Sequence, residues 1–184
     1  MQTLQALDPE TTSGKSKELF NSIAAKLGMV PNMMRTMGNS HAALGGYLNL
    51  SGALAKGEIG VKLGELIAIA VANANSCGYC NSAHSFIGEK LAQIPRSEII
   101  AARSGKSSDP KTQAALSLSL SVLGNKGRIP ASEISLAKAA GFDDGAIAEI
   151  ICHVGLNVLT NYFNSAAAVE IDFPQAELAA TAAV

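Results

Sequence analysis

A single carboxylate stands in the middle of an otherwise apolar helical stripe, and this constrains the chain more than any other feature. Across the run from Ile59 to Ala74, the residues that share a face with Glu65 are Val61, Ala68, Ile69 and Ala72, at −4, +3, +4 and +7. A stripe of that kind is a core helix. A carboxylate within it loses hydration, and desolvation favours its neutral form unless a partner meets it. The bland alternative places Glu65 at the edge of the stripe, reaching solvent or Lys62. Just downstream lies the segment Cys77-Gly78-Tyr79-Cys80-Asn81-Ser82-Ala83-His84, whose first cysteine follows Glu65 by twelve residues.

Composition favours helices throughout. The chain has 184 residues, 48% hydrophobic, with aromatics at only 4% and no Trp. Its bulk is therefore Ala, Leu, Ile and Val, which suits closely packed helices better than sheets. Apolar residues at helical spacing run from Ser16 to Leu27, ended by Gly28. Pro31 opens a short helix and Ser40 caps another through Leu54. Further helices are expected over Ile59 to Ala74, Cys77 to Leu91, Asp109 to about Leu123, from Ser132 to Gly141, and from Asp143 to about Ala168. No composition shift marks a linker, so residues 1–184 read as one all-α domain, with 173–184 a loosely held tail. A net charge of −1 gives no electrostatic case for nucleic acid or an anionic membrane. No apolar run of membrane-spanning length and no secretory signal is read in the chain. The three cysteines do not make a disulfide framework, which points to reducing cytosol. Low charge, 16%, mildly favours an oligomer.

The connection Asn73-Ala74-Asn75-Ser76 has the content of a tight helix–helix turn, with Asn75 or Ser76 as the next N-cap. If the flanking helices are antiparallel about residue 75, Glu65 lies ten residues before the turn and His84 nine after it. At about 1.5 Å of rise per residue, the two then stand at the same height. The spacing predicts a contiguous chain of acid, imidazole and thiol on a central helix hairpin. Both cysteines occupy a first helical turn, where free N–H groups and the helix dipole favour a thiolate. His84 shares a face with Cys80 and can take its proton. Cys80, nearer the base, is read as the attacking thiol and Cys77 as the resolving one. The reverse stands open, since the first cysteine of such pairs is often the more exposed. A Cys-x-x-Cys pair also serves zinc, for which His84 with Glu65 or the Cys152-His153 pair would complete four ligands. Haem attachment requires His directly after the second cysteine, where Asn81 stands.

The segment Leu63 to Cys80 with His84-Ser85 resembles the core of the carboxymuconolactone decarboxylase superfamily, and more closely its alkylhydroperoxidase D-like, peroxidase-related branch. A second stretch, Leu159-Thr160-Asn161-Tyr162-Phe163-Asn164 with Glu170-Ile171-Asp172-Phe173-Pro174, is also similar to those relatives. The resemblance implies an all-helical fold and homo-oligomers (dimers, trimers or hexamers). It implies a peroxide substrate and a thiol protein or small thiol as reductant, with no metal or organic cofactor. It also implies a cycle in which Cys80 attacks, Cys77 closes a disulfide, and Glu65 and His84 relay protons. One departure is Tyr79, where the best-studied branch places a His of its relay.

Two rival functions stand beside the thiol peroxidase. One is a non-redox decarboxylase or isomerase using His84 and Glu65 as acid and base. The other is a zinc-stapled, non-enzymatic hairpin. Elsewhere, Cys152 reads as a buried small hydrophobe. His153 reads as a satisfied core histidine, with a role in the site as the sharper alternative. Met29, Met33, Met34 and Met37 read as adaptable packing or as a pocket wall.

Overall fold

A computed structural model of the chain describes residues 2–179. Among these residues the fold is all-helical, with nine helices in chain order: α1 (Gly14–Leu27), α2 (Asn32–Met37), α3 (His41–Leu54), α4 (Gly60–Ala74), α5 (Gly78–Lys90), α6 (Arg96–Arg103), α7 (Pro110–Gly124), α8 (Ala131–Ala139) and α9 (Asp144–Ala166). The boundaries follow local chemistry. Gly28 ends α1 in the left-handed region at φ 76°, where it returns its N–H to Ala24 O. The Asp109 carboxylate accepts from Thr112 N at 2.7 Å, with Pro110 beginning α7. The Asp143 carboxylate accepts from Ala146 N at 2.8 Å to open α9.

Helix α4 is the axis of the molecule. It packs against α5, α6, α7 and α9, and every residue from Leu66 to Asn73 is buried. A helix apolar all round belongs inside a bundle. One core gathers Ile67, Ile69, Leu116 and Ile150 around it, and a second holds Phe20, Ile23, Met37 and Leu44 beneath α1 and α3. Between them lies a third cluster that contains both Cys77 and Cys80 with Met33, Tyr79 and Val169. The cysteine pair therefore sits at the seam of two cores.

Four expectations need correction. Helix α6 was not anticipated. It is eight residues long, opens directly after Pro95, and is held by the buried Ile99 and Ala102. The N-cap of α5 is Cys77 itself, whose sulfur accepts from Cys80 N at 3.3 Å, while Asn75 closes α4 and Ser76 takes φ 55°. Helix α9, at 23 residues, does reach the length and apolar character of a membrane span, yet half of that window is buried in the bundle. The tail is not loose over 173–179. Asn81 Nδ2 donates to Ala176 O at 2.9 Å, Ala176 N donates to Ser82 Oγ at 3.1 Å, and Ala179 N donates to Asn73 Oδ1 at 2.8 Å. Polar side chains along α5 replace the water that would otherwise solvate this strap. The rest of the predicted tail, 180–184, lies outside the described residues.

The core beneath α1 and α3 is tightly filled. A Cβ at Gly38 would run into the Phe20 ring, which is itself 1% exposed. Gly38→Ala is expected to lower unfolding free energy by about 1–3 kcal/mol through overpacking, measured by urea denaturation against wild type.

Candidate active site

Helices α4 and α5 form the antiparallel hairpin, and across it His84 Nδ1 meets Glu65 Oε2 at 2.8 Å. Both side chains are largely buried, 23% and 16% exposed. Burial pulls the imidazole down, but the adjacent carboxylate, by its charge and by its hydrogen bond, outweighs burial and holds His84 above the ordinary histidine value. With Nδ1 committed to Glu65, the other ring nitrogen is free to work.

Cys77 and Cys80 are joined as a disulfide, with Cα atoms 5.4 Å apart on the first turn of α5. Both are buried, at 3% and 2% exposed. The Cys80 sulfur also accepts from Asn164 Nδ2 at 3.2 Å. Asn164 projects from the end of α9 and is buried. It was not singled out from the sequence as a site residue. The only signal was its place in the second stretch of family likeness, because a neutral amide far down the chain has no spacing rule that points to a thiol.

An apolar cavity of about 300 Å³ opens beside Cys80 and His84. Its walls include Met29, Met33 and Met34, the rings of Tyr47, Tyr79, Phe86 and Phe173, and the polar groups of Thr160 and Asn164. Cys80 lines this cavity and Cys77 does not. Three of the four clustered methionines are thus pocket wall, while Met37 packs in the core beneath α3. Such a cavity, mostly apolar with a few convergent polar groups, is the usual form of a small-molecule site.

Tyr79 is turned away from the imidazole. Its hydroxyl accepts from Met33 N at 3.1 Å and donates to Asp172 Oδ1 at 2.9 Å. Burial raises the phenol far above its normal range. The other oxygen of Asp172 accepts from Asn32 N at 2.7 Å, and Phe173 packs edge-on to Tyr79 with centroids 5.9 Å apart. Tyr79 therefore anchors the strap to α2 and α5. Cys152 is exposed with a free thiol, against the expectation of burial. The buried face of α9 carries Ile150, His153, Val154 and Asn157, and position 152 falls outside that arc. Among the described residues no cluster of three or more His, Cys, Asp or Glu side chains is arranged to hold a metal.

The comparisons place this geometry among known proteins. Residues 42–90 match the carboxymuconolactone decarboxylase family. No curated protein matches the chain. Among solved structures, a peroxidase-related protein from Silicibacter sp. TM1040 is similar at 24% identity and TM-score 0.78, with 98% of each chain covered. A peroxidase-related protein from Ralstonia eutropha JMP134, described as an alkylhydroperoxidase AhpD core, is similar at 18% identity and TM-score 0.82, over 93% of this chain and 92% of that one. The debrominase Bmp8, as a variant in complex with 2,3,4-tribromopyrrole, is similar at 20% identity and TM-score 0.76, over 93% and 90% of the two chains.

Because the carboxylate sets the charge of His84, Glu65→Gln is expected to drop the imidazole pKa below about 6.5, leaving burial as the dominant influence. NMR titration of the ring measures this directly. The raised folded-state value also means that the pair's stabilisation is full below the ordinary histidine value, about 6.5, and is lost as pH rises from there through the higher folded-state value. In Glu65→Gln the sign of this contribution reverses, with stability falling as pH drops through the ordinary histidine value.

Proposed function

Starting from a chain whose residues 42–90 match the carboxymuconolactone decarboxylase family and whose fold is like that of alkylhydroperoxidase D-like proteins, we propose that it is a thiol-dependent peroxidase cycling the Cys77–Cys80 pair. The observation that carries this reading is a bonded cysteine pair whose second sulfur faces an apolar cavity shared with His84, with Glu65 behind the imidazole.

In the reduced protein, the Cys80 thiolate attacks one oxygen of a hydroperoxide. The S–O bond forms, the O–O bond breaks, and the departing alkoxide takes a proton from the His84 imidazolium to leave as an alcohol. The Cys77 thiolate then attacks the sulfenic sulfur, closing the S–S bond and expelling hydroxide, which leaves as water on taking a proton. Two thiols of a reductant protein or of a small thiol return the two electrons. Asn164 Nδ2 and the α5 N-terminus favour the anionic form of Cys80 between turnovers. Access to the cavity supports Cys80 as the attacking thiol and Cys77 as the resolver. The roles assigned to Glu65 and His84 need neither metal nor organic cofactor. A reducing compartment, the cytosol, suits a cycle that must reopen its disulfide.

The aromatic wall of Tyr79, Phe86 and Phe173 favours one second reading, reductive dehalogenation of a halogenated ring. There the dithiol would supply two electrons, the ring carbon would gain hydrogen, and halide and a proton would leave as the disulfide forms. The non-redox and zinc-bound alternatives predict thiols that stay unchanged by either substrate. Homo-oligomer assembly is supported by exposed Ile151, Leu159 and Tyr162 along α9, and sedimentation equilibrium at micromolar concentration measures it: a monomer there defeats the expectation.

The deciding experiment is intact-mass thiol titration of reduced protein with one equivalent of an alkyl hydroperoxide. Loss of two thiols is expected, with a drop of about 2 Da (two hydrogens lost as the disulfide forms) mapped to the peptide holding Cys77 and Cys80. Cys80→Ser is expected to abolish the reaction, and Cys77→Ser to stop at a sulfenic acid on Cys80. Thiols inert to hydroperoxide but consumed by 2,3,4-tribromopyrrole would replace the peroxidase reading with the dehalogenase. Thiols inert to both would reject the redox cycle.

A further inference from the structure

Glu65 meets His84 on one side only. Among the described residues its Oε2 is taken by His84, and no protein hydrogen bond is made to Oε1. Glu65 also lines a second, smaller cavity of about 80 Å³, bounded by α3, α4 and α9. Tyr47, His84 and Thr160 line both cavities and so form the partition between them. The large one is apolar and sized for an organic molecule. The small one holds Glu65, Ser51, Asn157 and His153 and has room for several waters.

His153 is the unexplained member. It is 8% exposed, and its Nε2 is fully buried with no protein partner among the described residues. Leaving such a group unpaired is destabilising, so a histidine that served packing alone would be better replaced by an apolar side chain. The helix opposite makes space for it. A Cβ at Gly64 would lie 2.8 Å from His153 Cε1, so the glycine next to Glu65 is what lets the ring settle against α4. Tyr47, Glu65, His84 and Glu149 are the titratable groups around it. Burial holds its imidazole below the ordinary histidine value, with Glu149 and Glu65 pulling upward and His84 opposing them. One carboxylate thus stands among two imidazoles displaced in opposite directions, an arrangement that separates a proton donor from a proton acceptor.

We propose that His153 is a second imidazole of the relay, exchanging protons between solvent and the Glu65–His84 pair through the small cavity. The inference rests on the peroxidase reading. His153 touches neither peroxide nor sulfur; it acts through Glu65. When His84 gives its proton to the leaving alkoxide, His153 and Glu65 return one from solvent. When the next Cys80 thiol ionises onto His84, the surplus proton leaves by the same route. Protons balance over the cycle, and substrate and protons use opposite sides of the imidazole.

The test is stopped-flow oxidation of reduced protein by an alkyl hydroperoxide, with and without added imidazole. Wild type is expected to be insensitive to imidazole. His153→Ala and His153→Asn are expected to slow about tenfold or more, with imidazole restoring rate to His153→Ala in a saturable manner. Unchanged rates, or a loss that imidazole does not touch, would overturn the proposal. Should wild type prove inert to hydroperoxides, the peroxidase reading fails, and the coupling of His153 to Glu65 is still decided on the resting protein. In that case NMR titration of Glu65→Gln is expected to lower both the His84 and the His153 imidazole. A shift confined to His84 would show that His153 does not face the carboxylate, and would overturn the relay.

Discussion

The contact between Glu65 and His84 organises much of what surrounds it. A carboxylate on a helix as buried as α4 is tolerable only if its partner is supplied by the neighbouring helix at the right height, so the pair fixes how α4 and α5 register against each other. That register in turn places the first turn of α5, and with it both cysteines, at the meeting of two hydrophobic cores. Among the described residues the same contact leaves the second imidazole nitrogen and the second carboxylate oxygen without a protein hydrogen bond. Packing and charge therefore meet in one hydrogen bond.

Much of the hairpin was legible before any coordinates. Distances of ten and nine residues from the turn at residue 75, which agree to within one residue, were enough to bring Glu65 opposite His84, because helical rise is a constant of the backbone. Helix starts at Ser40, Asp109 and Asp143 were readable from capping chemistry, which acts over three or four residues. Features that depend on distant segments were not. Helix α6 is too short for periodicity to announce, and its stability comes from Ile99 and Ala102 meeting the core. Cys152 looked buried because its neighbours are apolar, yet the arc of α9 that faces inward is set by where α4 lies. Asn164 reaches Cys80 across 84 positions of sequence, a contact that no local pattern encodes.

The strap 170–179 illustrates the same limit. The tail 173–184, with Pro174 and a run of Ala, has little to hold it locally and reads as a loose end. The strap's order comes from elsewhere. Asn73, Asn81 and Ser82 present side chains to its backbone, while Phe173 fills the space beside Tyr79 and Phe86. Tyr79 ties the strap to α2, since its hydroxyl bonds both Met33 and Asp172.

Asp172 has a consequence that concerns the chain as a whole. Its two oxygens hold the start of α2 and the first turn of α5, residues 140 and 93 positions away. Close by, Thr3 N bonds Ala167 O at 2.9 Å. The polypeptide is in effect closed into a loop whose clasp lies beside the cysteine pair, where the early and late parts of the chain find each other. Proteolytic trimming from the C-terminal side would then act first on the walls of the site, long before it reached the bundle that supports them.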